Sequence, residues 1–219
     1  MKRMRRKFVF IAAVLCVAAM LVTNCAQGIH GQVVCFGDSI THGALVDGHS
    51  WVWYLSQTHP DVDFINAGRN GRKTSDREEL PPVLQQYPDA DYYLIFLGVN
   101  DLKDGTEAMV NDCVQNMRRM ITQIRQTNSR ADIVVVAPTD INLQTMSEIN
   151  VNKQYNQNTK QSLRALEQRY RALAQEAHTG FLSLLHTVSP PNYVDGLHPD
   201  EAGQQQIAAA VWQGLNNLY

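Results

Sequence analysis

Five short apolar runs, Gln32–Phe36, Val62–Asn66, Tyr92–Leu97, Ile133–Ala137 and Gly180–Leu184, recur along the chain with helical patterns between and after them. Each run has a strand's length and is almost continuously apolar, as a strand must be when both of its faces are covered. The intervening stretches carry apolar residues at helical spacing. Cys113, Met117, Met120, Ile121 and Ile124 form one stripe; Leu163, Leu166, Tyr170, Leu173 and Ala177 form a second; Ile207, Val211, Leu215 and Leu218 form a third. Strands alternating with amphipathic helices fold as a parallel sheet under two helical layers. Right-handed crossovers then predict an α/β protein, a three-layer α/β/α sandwich with five parallel strands in the order 2-1-3-4-5. No repeat, low-complexity tract or interdomain linker interrupts the pattern.

The N-terminus stands apart. Lys2, Arg3, Arg5, Arg6 and Lys7 precede an uncharged apolar run from Phe8 to Val22. A charged head followed by an apolar run short of the ~20 residues needed to span a bilayer reads as a secretory signal; an uncleaved anchor is the alternative. The run ends in Leu21-Val22-Thr23-Asn24-Cys25, which resembles a bacterial lipoprotein cleavage box, although Leu21 sits one place early and Asn24 is polar. Residues 1–24 are therefore expected to be a leader. Cys25 is the candidate lipidated first residue, with free secretion as the other outcome, and residues 25–219 are expected to form one domain.

Loss of residues 1–24 takes five basic and no acidic residues from a formal net charge of −2, leaving −7 on 195 residues. Such a chain lacks the basic footprint of a nucleic-acid binder and is long enough to bury a core without staples. Beyond Cys16 and Cys25, the remaining cysteines are Cys35 and Cys113, without a CxxC or metal-type spacing. Each sits in an apolar pattern. Two buried thiols are expected rather than a disulfide.

In a parallel sheet all strand C-termini share one edge, where ligand sites gather, so the residues after each strand carry the functional information. After the first run comes Gly37-Asp38-Ser39, where Ser39 opens a helix and its hydroxyl faces the crevice; capping by Asp38 or Ser39 is the bland alternative. After the second comes Asn66-Ala67-Gly68-Arg69-Asn70-Gly71, in which Gly68 would let a backbone N–H approach a ligand, or simply make a turn. After the third, Asn100 in Gly98-Val99-Asn100-Asp101 offers an uncharged NH₂ donor, or an Asx turn. After the fifth lies Asp195-Gly196-Leu197-His198-Pro199. Pro199 keeps His198 out of the following helix and Gly196 lets the chain fold back, so Asp195 can hold one ring nitrogen while the other takes a proton from a serine. His30, His42, His49, His59, His178 and His186 have no such neighbour. A nucleophile, a base with its acid, and oxyanion donors on one sheet edge point to a catalytic serine. Asp38 receives no chemical role beyond bonding its loop.

The remaining loop, Pro138 to Met146, opens onto the same edge. Ile141, Leu143 and Met146 are its candidate substrate-binding residues, a plain surface connection being equally compatible. Arg69, Arg72 and Lys73 read either as contacts for an anionic substrate or as a solvated basic loop. Trp51 and Trp53 read as helix packing more readily than as a sugar platform.

GDSITHG, the glycine in NAGRNG, GVND and DGLHP, in that order, resemble the successive signature blocks of the SGNH, or GDSL, hydrolase superfamily across about Val33 to Leu218. The resemblance implies a flavodoxin-like fold and serine ester hydrolysis without metal or organic cofactor. It implies Ser39 as nucleophile, Asp195 and His198 completing the triad, and the Ser39 N–H, Gly68 and Asn100 as oxyanion hole. GRNGRKTSD and LGVNDLKDG are similar to the arylesterase and lysophospholipase-type acylhydrolase branch. The expected function is an exported esterase or lipase-like acylhydrolase acting on a small-molecule or glycan ester. It has no nucleic-acid partner, and it meets a membrane only through an N-terminal lipid. An acyltransferase using the same triad and a non-catalytic surface binding protein are the alternatives.

Overall fold

The computed structural model describes residues 28–219, so the leader and Cys25 lie outside the described residues. Strands β1 (Gly31–Gly37), β2 (Val62–Gly68), β3 (Tyr92–Phe96), β4 (Asp132–Ala137) and β5 (Gly180–Ser183) pair in parallel in the order β2-β1-β3-β4-β5. The expected topology is the observed one.

Successive side chains of a strand point to opposite faces, and the two cores divide accordingly. Val34, Phe36, Tyr93, Ile95, Ile133 and Val135 face one helical layer. It consists of α3 (Leu80–Gln86), α4 (Glu107–Thr127) and α6 (Gln157–Glu176), entered through Leu80, Met117, Met120, Leu163 and Tyr170. Val33, Cys35, Leu94, Phe96, Val134 and Val136 face the other, where α2 (Trp51–Thr58) and α7 (Glu201–Leu218) bring Trp51, Leu55, Ile207, Val211 and Leu215. The short α1 (Ser39–His42) and α5 (Glu148–Asn152) belong to the C-terminal edge of the sheet. Among the described residues no helix is long and apolar enough to cross a membrane.

The middle strands are buried except where they begin, at Gly31 and Gln32 in β1 and Asp132 in β4, whereas β2 and β5, paired on one side only, leave alternate or most residues partly or fully exposed. Of the three helical stripes, Leu218 departs: it lies in the last turn of α7 over the edge strand and is 40 % exposed. Cys35 and Cys113 are buried free thiols in cores on opposite faces of the sheet, which separates them from each other and from oxidant. Burial raises both thiol pKa values.

Candidate active site

The chain leaves β1 through Gly37, where a Cβ would lie 2.1 Å from Thr41 Oγ1 and 3.2 Å from the Phe96 carbonyl, so only glycine fits without movement. Asp38 is the N-cap of α1, its Oδ1 accepting from the Ile40 N–H at 3.0 Å. Ser39 follows at the first helical position and is 6 % exposed. Its Oγ lies 3.0 Å from His198 Nε2, although 159 residues separate them in sequence.

His198 is held from the other side. Its Nδ1 is 2.9 Å from Asp195 Oδ2, and Asp195 Oδ1 accepts the backbone N–H groups of His198 at 2.8 Å and Leu197 at 3.1 Å. The turn requires Gly196: its φ is +79°, and a Cβ would fall 2.6 Å from the Asn142 carbonyl oxygen and 2.6 Å from Met146 Cα. The Val194 N–H donates to the His198 carbonyl at 2.9 Å and closes the loop. Burial opposes ionisation of Asp195, but the bonds from the His198 ring and backbone, the charge of His198 and the Leu197 N–H outweigh it, holding the carboxyl well below its ordinary range. A carboxylate in this position fixes Nδ1–H and leaves Nε2 to accept the Ser39 proton.

Asn100, 6 % exposed, stands beside this line. Its Nδ2 donates to Asp38 Oδ2 at 3.3 Å and to the Arg72 carbonyl at 3.2 Å. Both are long bonds, so a developing oxyanion could draw the amide away from either. Asp38 is fully buried. Burial pushes its carboxyl up to about 6, against the Ile40 N–H and the charge of His198.

Gly68 does not present a free N–H. That group donates to Asn66 Oδ1 at 2.9 Å, and a Cβ on Gly68 would lie 2.3 Å from the His42 nitrogen. Gly68 thus permits the end of β2 to touch α1. Three residues on, Gly71 has φ +74°, open space where a Cβ would be, and an N–H without an acceptor among the described residues. The second glycine of NAGRNG was the available signal for it.

The basic loop resolves differently from either expectation for Arg72. Its guanidinium is buried, donating Nη1 to the carbonyls of Gly37 and Ala67, both at 2.6 Å, and Nε to Glu79 at 2.9 Å, and it lies over the Phe36 ring. Arg72 ties the ends of β1 and β2 together and is closed to substrate. Arg69 pairs with Asp76 at 3.0 Å and Glu79 at 2.6 Å. Thr74 binds the Asp101 carboxylate through its N–H at 3.1 Å and its hydroxyl at 2.7 Å, lashing this loop to the one bearing Asn100.

A cavity of about 440 Å³ opens at the ends of β4 and β5, lined by Ile141, Leu143, Asn142, Gln144, Gln157, Lys160, His186 and Tyr193, among others. Ser39 and His198 do not line it; the Tyr193–Pro199 hairpin, which carries His198, borders it. Met146 is not in its wall and packs beneath Gly196. Trp51 is buried and donates Nε1 to Thr41 Oγ1 at 3.3 Å, whereas Trp53 is exposed beside His49 and Tyr54. Among the described residues no cluster of three or more His, Cys, Asp or Glu is arranged to hold a metal ion.

Residues 35–206 match the model of the GDSL-like lipase/acylhydrolase family. No curated protein matches the chain. Among solved structures, a carbohydrate acetylesterase from Sinorhizobium meliloti superposes with a TM-score of 0.73 at 19 % identity, covering 86 % of this chain and 99 % of that one. An aryl esterase from M. smegmatis gives 0.72 at 23 %, over 86 % and 100 % of the two chains. An acetyl xylan esterase gives 0.66 at 17 %, over 83 % and 98 %. At these identities the likeness is one of fold.

Proposed function

The chain belongs to the GDSL-like lipase/acylhydrolase family and is a carboxylic ester hydrolase, and from that premise we propose that it is exported and removes short acyl groups, acetyl above all, from glycans or small esters. The observation that carries the reading is the line from Ser39 Oγ to His198 Nε2 at 3.0 Å and from His198 Nδ1 to Asp195 Oδ2 at 2.9 Å. The acetyl preference draws support from the carbohydrate acetylesterase and acetyl xylan esterase of the same fold. The charged and apolar leader supports export, and Cys25 is its proposed lipid attachment point.

In this mechanism His198 takes the Ser39 hydroxyl proton through Nε2 as Oγ bonds to the ester carbonyl carbon. The carbonyl oxygen becomes an oxyanion held by the Ser39 N–H and the Asn100 amide. We assign the third donor to the Gly71 N–H in place of Gly68, whose N–H is engaged. His198 returns the proton to the leaving alcohol as the C–O bond breaks, giving the acyl-serine. Water, deprotonated by the same nitrogen, then releases the acid and restores Ser39. Ile141 and Leu143 are proposed to meet the acyl or alcohol portion of the substrate from the neighbouring cavity.

A fluorophosphonate probe should label wild-type protein at Ser39 and leave Ser39→Ala unlabelled. Across p-nitrophenyl esters and acetylated oligosaccharides, turnover should be highest for acetyl groups. Wild-type hydrolysis of p-nitrophenyl acetate by Ser39→Ala would end this reading. For localisation, the lipid-labelled, membrane-associated form should disappear in Cys25→Ser.

A further inference from the structure

Hydrogen bonds from two side chains of one short segment reach opposite sides of the site, although the segment contributes no group to the proposed chemistry. Tyr155 Oη donates to Asn100 Oδ1 at 2.9 Å. Five residues earlier, Asn150 Nδ2 donates to Asp195 Oδ2 at 2.9 Å and to the Asp195 carbonyl at 3.2 Å. Both side chains are buried, each 2 % exposed. We infer that Ser147–Tyr155 is a positioning brace, in which Tyr155 orients the oxyanion-binding amide of Asn100 and Asn150 orients the carboxylate of Asp195. The inference rests on the roles proposed above for those two residues.

The chemistry of each partner calls for such a contact. A side-chain amide has two nearly isosteric ends, and its terminal torsion is soft and roughly two-fold. Turned over, Asn100 would place a carbonyl oxygen where its NH₂ is needed and repel an oxyanion. The Tyr155 hydroxyl opposes that rotation, since it donates to the oxygen end while Asp38 and the Arg72 carbonyl accept from the nitrogen end. The Asp195 carboxylate has the same freedom. Its Oδ1 is pinned by two backbone N–H groups, and Asn150 supplies the second donor on Oδ2 beside the His198 ring.

The segment is built to hold its two side chains in fixed relation. Ser147 caps α5 through the Asn150 N–H at 3.3 Å, and the Ser147 N–H donates to the Asp195 carbonyl at 3.1 Å. The Tyr155 N–H donates to the Asn150 carbonyl at 3.1 Å, so the two side chains are joined through one backbone bond. On the far side the Asp104 N–H donates to the Gln154 carbonyl at 2.7 Å, tying the brace to the loop that carries Asn100. A displacement at either end is thereby shared with the other.

Double-mutant cycles on the full chain test the inference, with p-nitrophenyl acetate as substrate and thermal unfolding followed for every variant. Tyr155→Phe and Asn150→Ala should each lower kcat by roughly 10-fold with KM within about two-fold, the pattern of an interaction felt in the transition state. Tyr155→Phe should cost less than about two-fold in an Asn100→Ala background, and Asn150→Ala likewise in Asp195→Ala, because a residue acting through another loses its effect when that partner is gone. Purely structural roles predict the same loss in both backgrounds, and that result overturns the brace while leaving the triad standing. Wild-type turnover in Asn100→Ala and Asp195→Ala themselves would overturn the underlying site and the brace together. Should Asn150→Ala fail to fold, Tyr155→Phe, which removes one oxygen and keeps the ring in the core, decides the matter alone.

Discussion

Asp38 is the residue whose chemistry conflicts most with its surroundings. It is fully buried, with one oxygen capping α1 and the other reaching Asn100, and its carboxyl is raised from 3.8 to about 6, chiefly by desolvation. A folded value above the unfolded one means that folding favours the protonated form. The resulting stabilisation is fully present below about pH 4 and is lost as pH rises through about 6. At ~1.4 kcal/mol per pH unit, the interval from 3.8 to about 6 sets an upper bound of about 3 kcal/mol. Asp38→Asn keeps a capping side chain but cannot ionise. Its melting temperature relative to wild type should therefore climb between pH 4 and pH 8. A difference that stays flat over that range would show that Asp38 does not titrate there. The arrangement also accounts for an aspartate with no step of its own in the proposed chemistry: it fixes the helix bearing Ser39 and the amide of Asn100 at once.

At the scale of the element, the loop between β5 and α7 does the most with the fewest residues. Gly196 needs a positive φ, and its missing Cβ lets the loop lie against the backbone of Asn142 and Met146. In Gly196→Ala the neighbouring atoms are main chain and cannot rotate aside, so the loop must move. That should cut kcat by at least 10²-fold through misplacement of His198, while far-UV circular dichroism stays native. Near-wild-type turnover would mean that the loop tolerates a shift without losing its contact with Ser39. The same loop explains what could be read in advance. Strand-then-motif order makes Ser39, Asn100, Asp195 and His198 visible in the sequence, because a parallel sheet sends every strand end to one edge. Which backbone N–H is already engaged does not follow from that order. The Gly68 N–H is engaged because the Asn66 side chain reaches it, and nothing in the order of the motifs marks that contact. Arg72 looks like part of a solvated loop because its partners, the carbonyls of Gly37 and Ala67 and the carboxylate of Glu79, meet only after β1 and β2 have paired. Helix α5 is five residues long, too short to print an apolar period, and Tyr155 lies beyond its end outside any helix or strand, so neither Asn150 nor Tyr155 left a pattern to find.

For the molecule as a whole, the difficulty is that Ser39 and His198 come from opposite ends of the described chain and must stay 3.0 Å apart. The sheet fixes β1, but His198 lies in a long loop that leads into α7, which packs on α2 as well as on the sheet. Gln204 joins these parts. Fully buried, it accepts the Trp51 N–H at the start of α2 through Oε1 at 2.9 Å and donates Nε2 to the Ile40 carbonyl in α1 at 3.2 Å. One amide from the first turns of α7 thus holds both helices that follow β1. Gln204→Leu preserves volume but leaves one buried N–H and one carbonyl without partners. At ~1–3 kcal/mol for each such group, the loss should be roughly 2–6 kcal/mol. At ~2–4 °C per kcal/mol for a chain of this size, melting should fall by about 4–24 °C. If α7 also sets the distance between His198 and Ser39, kcat should drop well below the melting transition while KM changes little. A variant that loses stability but keeps wild-type kcat at 25 °C would assign that distance to the Asp195–His198 loop alone and leave Gln204 a purely structural clasp.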